Sequence, residues 1–205
     1  MFTRGSWRST WRWVVGAFVC LVLGWFAFVR EVRVPVLGLV DLGFHELGHL
    51  LTYRLPHVVT AAMGSIFQIA VPLGIAVYFL WRGRDAAAGA MCLAWAGSSA
   101  QDVSVYVADA PYQRLQLIGG EHDWAFVLGH FHALNHAAAI AAWVKGFGLV
   151  LVVASLALCC AWPFTGRQRG PEGPLVPNET APLSGSRRAP SPAGEPPAAP
   201  WGGGC

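Results

Sequence analysis

The stretch VPVLGLVDLGFHELGHLLTY, Val34 to Tyr53, carries two messages at once. It is an apolar run of about 20 residues, the length at which a helix crosses a bilayer. It also holds Asp41, His45, Glu46 and His49. On a helix His45 and His49 lie four residues apart on one face, so their imidazoles can share one Zn²⁺, with Glu46 beside them as a general base. Ionisable groups inside a bilayer cost roughly 2.5–3.5 kcal/mol each on insertion scales, and are rarely idle. A shared metal gives these side chains a common purpose. The alternative is a core helix of a soluble protein with hydrogen-bonded histidines, and composition opposes it. The 205 residues are 55% hydrophobic and 12% charged, with a mean hydropathy of +0.46, whereas soluble domains carry about 25% charged residues.

Working outward, the pattern predicts an all-α polytopic membrane helix bundle. Trp13 to Val29 is an apolar run flanked by Arg4, Arg8 and Arg12 before it and Arg30 and Arg33 after it. It lacks the small-residue cleavage site of a signal peptide and reads as a retained anchor helix. Val34–Tyr53 is the second span, and Gly38, Gly43 and Gly48 give it small surfaces for close helix approach. Further apolar segments run from about Ala62 to Trp81, from about Ala86 to Ala110 and from Val144 to Trp162. Residues 111–123 form a polar connection. Trp124–Trp143 has a span's length but contains His130, His132, Asn135 and His136, so it suits a buried span, a re-entrant segment or an interfacial helix. The total is five spans, or six if Trp124–Trp143 crosses. The arginines before the first span place the N-terminus in the cytoplasm. Arg167, Arg169, Arg187 and Arg188 put the C-terminus there too, which requires an even number of crossings.

Residues 1–162 thus form one integral membrane domain. From Pro163 to Cys205 the chain holds ten of its fourteen prolines and eight glycines with few apolar residues, the composition of a disordered tail. Cys20, Cys92, Cys159, Cys160 and Cys205 include no CxxC pair, so neither a disulfide framework nor a cysteine zinc site is indicated. A formal charge of +3 with no basic, aromatic-interleaved surface gives no reason to expect nucleic acid as a partner. The lipid bilayer is the expected partner, and nothing in the sequence sets an oligomeric state.

Catalytic zinc takes three protein ligands and keeps a position for water, so a third ligand is needed beyond His45 and His49. Asp102, Tyr106 and Asp109 share one helical face of the Ala86–Ala110 segment, and either carboxylate can serve. Asp41, four residues before His45, either orients an imidazole or sits in a packed polar network. His122-Asp123, His132 and His136 offer a second metal or haem site, or an interfacial polar surface.

Phe44-His45-Glu46-Leu47-Gly48-His49-Leu50-Leu51 resembles the HExxH span of the site-2-type intramembrane zinc metalloproteases, of which the chain looks like a divergent member. Gly64-Ser65-Ile66-Phe67-Gln68 is similar to that family's small-residue turn between its active-site helices. Gln101 to Ala110, read as QDVSVYVADA, is similar to its N-x-x-P-x-x-x-L-D-G motif. Gln101 stands for the Asn, Ala110 for the last Gly, and the proline is missing. The resemblance covers about residues 34–110. It implies a zinc ion held by His45, His49 and Asp109, with Asp102 as the alternative third ligand. It further implies Glu46 as the catalytic base and a transmembrane protein as substrate, hydrolysed at a locally unwound peptide bond. The departures in the second motif point the other way, to a metal-binding membrane regulator or scaffold without proteolysis. A transporter using the buried carboxylates as an ion path is a third class, for which the sequence offers no internal repeat.

Overall fold

The computed structural model describes residues 4–117 and 121–165; the rest of the proposed tail, 166–205 with Cys205, lies outside the described residues. Among the described residues the chain is all-helical. α1 (Arg4–Gly24) runs into a π-helical turn, Trp25–Val29; α2 (Leu37–Thr52), α3 (His57–Trp81) and α4 (Ala86–Asp109) follow. After the polar connection come α5 (Asp123–His130), a 3-10 turn at Leu134–His136, and α6 (Ala137–Thr165). Three stretches are long and apolar enough to cross a membrane: Trp11–Val29, His57–Trp81 and Leu134–Ala161.

Two predicted spans come out differently. α5 has eight residues, about 12 Å of helix, so Trp124–Trp143 is not a span of its own. The chain turns at His132, whose φ is +53°, and the last helix starts at Ala137, seven residues before the expected Val144. It also runs on through Pro163 to Thr165. α2 has 16 residues, about 24 Å, against a hydrocarbon core of about 30 Å. Its start is delayed by Pro35 and by Val36, whose φ of +64° lies in a γ-turn closed by Leu37 N donating to Pro35 O at 2.7 Å. Val34 and Leu37 pack among Cys20, Leu23, Ala90 and Ala94. α2 therefore begins inside the bundle and rises from there.

α4 is the centre, packed against α6, α3 and α1. Its N-terminus is capped by Asp85, whose carboxylate accepts from Ala88 N. Its buried surface is mostly Ala, Gly and Ser, which lets backbones touch: a Cβ on Gly148 of α6 would stand 2.6 Å from Gly97 O. α2 packs mainly on α3. Of its three glycines only Gly48 serves this contact, since a Cβ there would run into the Met63 carbonyl. Gly43 faces open space, and a Cβ on Gly38 would meet only the Arg33 side chain.

Ion pairs mark the two ends of the bundle. Arg12 of α1 binds Asp85 at the α3–α4 turn. At the other end Lys145 of α6 binds Glu31, just past the π-turn, at 2.7 Å.

Candidate metal centre

His45 and His49 leave α2 on the side facing α3. Each ring is fixed through Nδ1. His49 Nδ1 donates to Thr60 O at 2.9 Å, and His45 Nδ1 lies 3.3 Å from Gln68 Oε1. Both partners are pure acceptors, so both Nδ1 atoms carry the proton and both Nε2 atoms aim at one point. The third group there is Asp123, the first residue of α5. Its Oδ2 lies 3.1 Å from His45 Nε2 and 3.3 Å from His49 Nε2.

Donor atoms of these three residues lie within 4.8 Å of one another, and among the described residues they are the one His/Cys/Asp/Glu group able to hold a metal ion. Two imidazole nitrogens and one carboxylate oxygen are a common catalytic-zinc donor set. Tetrahedral bonds of 2.0–2.2 Å would separate such ligands by roughly 3.3–3.5 Å, close to the spacings seen. Gly64 of α3 makes the room. A Cβ at that position would stand 2.5 Å from His49 Nε2 and 2.7 Å from His45 Nε2, where an ion must sit. The residues fit the metal.

Neither of the expected third ligands, Asp109 or Asp102, belongs to this group. Asp109 is occupied elsewhere: its carboxylate accepts from the amides of Arg114 and Leu115, closing the turn after α4, and faces His122 Nε2 at 3.4 Å. Asp102 takes Arg33 Nε at 3.0 Å and Gln68 Nε2 at 3.2 Å. It thus acts on the centre through Gln68, fixing which end of that amide meets His45. The third member of the face, Tyr106, does reach the site. Its hydroxyl donates to Asp123 Oδ2 at 3.1 Å and accepts from Asp123 N at 3.0 Å. Asp41 does not orient an imidazole; 5% exposed, it accepts from Trp95 Nε1 and Ser99 Oγ and ties α2 to α4. Gly64 to Gln68 lies within α3 and not in a turn, and three of the five residues are used. Gly64 makes space, Ser65 accepts from Trp124 Nε1, and Gln68 holds His45.

His122 organises the approach of Asp123. Its Nδ1 caps α5 by accepting from Ala125 N, and its ring stacks on Tyr106 at 4.3 Å. Burial pushes its pKa below the ordinary value, against the pull of Asp109, which keeps Nδ1 free to accept. Burial disfavours the Asp123 carboxylate too, but the His45 hydrogen bond, the neighbouring histidine charges and the Tyr106 hydroxyl outweigh it and bring its pKa below the ordinary value. His130, His132 and His136 are exposed, and the turn at His132 separates it from His136. Among the described residues they form no second metal group.

The centre forms part of the wall of a cavity of about 870 Å³. Glu46 lines it as well, together with Arg33, Asp102, Tyr106 and Glu121. No protein-family model matches the chain, and neither a curated protein nor a solved structure is significantly similar to it.

Proposed function

We propose that the chain is an intramembrane zinc metallopeptidase that hydrolyses peptide bonds of membrane-embedded proteins. The observation that carries this is the convergence of His45 Nε2, His49 Nε2 and Asp123 Oδ2 beside Gly64, with Glu46 on the wall of the same cavity. Zn²⁺ held there would supply Lewis-acid polarisation of a water and of a scissile carbonyl. Glu46 moves the proton, accepting it from the attacking water and handing it to the leaving amine. Gln68 and Thr60 hold the two rings in the tautomer that presents Nε2, and Tyr106 holds the Asp123 oxygen. The chain is multi-pass, with α1, α3, α4 and α6 crossing, α2 rising from mid-depth and α5 near one surface. Four crossings would leave both termini on one side, and the arginines that precede α1 and follow α6 in the sequence favour the cytoplasm. Support for α4 as a crossing helix is its 24 residues, about 36 Å, and its small-residue surface in the centre of the bundle.

Purified protein is expected to hold about one zinc, lost in His45→Ala, His49→Ala and Asp123→Ala. Glu46→Gln should keep the metal and cleave nothing detectable, because general-base contributions are typically about 10²–10⁴-fold. A second reading, a metal-binding membrane protein without proteolysis, is favoured by one observation. The carboxylate beside the two histidines is on α5 and not at the α4 position that the resemblance implies. Zinc-loaded wild type and Glu46→Gln giving the same membrane proteome would decide for it.

A further inference from the structure

The candidate metal centre lies near one end of the helix bundle. Along α3, Gly64 lies 17 residues before Trp81, about 26 Å at a helical rise of about 1.5 Å. Along α4, Tyr106 lies 21 residues after Asp85, about 32 Å by the same measure. Trp81 and Asp85 flank the turn that binds Arg12. The centre is thus displaced from that end by about the whole thickness of a hydrocarbon core, roughly 30 Å. Residues around the cavity agree: Glu31, Glu46, His57, Gln116 and Glu121 line it and are exposed.

Basic residues distinguish the two ends. Arg4, Arg8 and Arg12 lead α1, and Arg82 and Arg84 sit in the α3–α4 turn beside them. α6 runs from the cavity end, where Ala137 and Ala141 pack with Val107 and Ala110, to the arginine end, where Cys159 packs with Cys20 and Ala90. The arginine end thus has five basic residues, with Arg167 and Arg169 following α6 in the sequence, against Arg30, Arg33, Arg54, Arg114 and Lys145 at the cavity end. Ion pairs occur at both ends, Arg12 with Asp85 at one and Arg33 with Asp102 and Lys145 with Glu31 at the other, so the first helix and its leading arginines carry the bias. Basic residues near span ends stay on the cytoplasmic side, and the first helix usually dominates.

We propose that the metal centre opens on the extracytoplasmic face, and that its substrates are membrane-anchored proteins cut in the juxtamembrane segment on that side. The second half rests on the peptidase reading; the first does not. At this depth water competes for backbone hydrogen bonds, so a substrate helix needs to fray only at its end to offer an extended bond.

Single cysteines in a cysteine-free background test the sidedness. Gln116→Cys should react with a membrane-impermeant maleimide in intact cells, and Arg82→Cys only after permeabilisation; the reverse pattern overturns the proposal. A measurement on the unaltered chain guards against a folding defect. Translated with microsomes, the tail sequon Asn178-Glu179-Thr180 should stay unglycosylated, and glycosylation overturns the orientation. Two single-span reporters, with a flexible segment at either membrane edge, then test the substrate class. Glu46-dependent cleavage of the extracytoplasmic one alone is expected, and cleavage of the cytoplasmic one alone overturns the proposal. With labelling as expected, cleavage of neither removes the peptidase reading and with it the substrate class, while the sidedness stands.

Discussion

A single hydrogen atom at Gly64 keeps open the space that the two imidazoles need. Gly64→Ala should therefore lower zinc affinity by about 10–100-fold or more, the range seen when groups supporting metal ligands are altered, with the helical circular dichroism unchanged. Titration against a competing chelator measures it, and unaltered affinity would contradict the placement of the ion. The three carboxylates near the site make a graded series. Asp123→Asn should weaken zinc most, Asp102→Asn less because it acts only through Gln68, and Asp109→Asn least of the three. If Asp109→Asn proved the most damaging, the ligand would belong on α4 after all. The pairing of His45 with His49 was legible in the sequence because their spacing is local and helical. Asp123 was not, since it reaches His45 across 78 positions through a connection that carries no periodicity. The one available signal was an acidic residue next to a histidine at the start of a polar helix. The shared face of Asp102, Tyr106 and Asp109 was read correctly, yet its tyrosine, and neither aspartate, touches the ligand set.

Among the elements, α2 depends on an unusual entry. Val36 sits at φ +64°, a conformation costly for a β-branched residue, by about 1–3 kcal/mol. Val36→Gly should raise the melting temperature in detergent by a few degrees, at about 2–4 °C per kcal/mol for a chain of this size. A lower melting temperature would mean that the valine side chain, not the backbone, matters there. The end of α3 and both ends of α4 were readable within a residue or so, because the Arg82–Asp85 turn punctuates long apolar runs, whereas α3 starts at His57, five residues before the expected Ala62. α5 was not, because histidines alternating with apolar residues look continuous. Nothing in composition announces the positive φ of His132 that breaks the run. Nor could an apolar run alone tell a crossing helix from one that begins inside the bundle: α2 has 16 residues, about four-fifths of the length a span needs.

For the whole molecule, the ligand set couples distant parts of the chain. Two of the candidate ligands come from the hairpin of α2 on α3, and the third from α5 beyond the central helix. An ion bridging them would tie the ends of a long segment together as a cross-link does, and only in the folded state. Metal occupancy is then part of the free energy of folding. At a free zinc concentration about 100 times the dissociation constant the gain is about 2.7 kcal/mol. Chelation should accordingly lower the melting temperature of wild type by several degrees and leave that of Asp123→Asn almost unmoved. An equal shift in both would separate the ion's effect from Asp123. The convergence of residues 45, 49 and 123 thus makes heat a reporter of metal loading, so ligand-set variants can be ranked before any substrate is in hand.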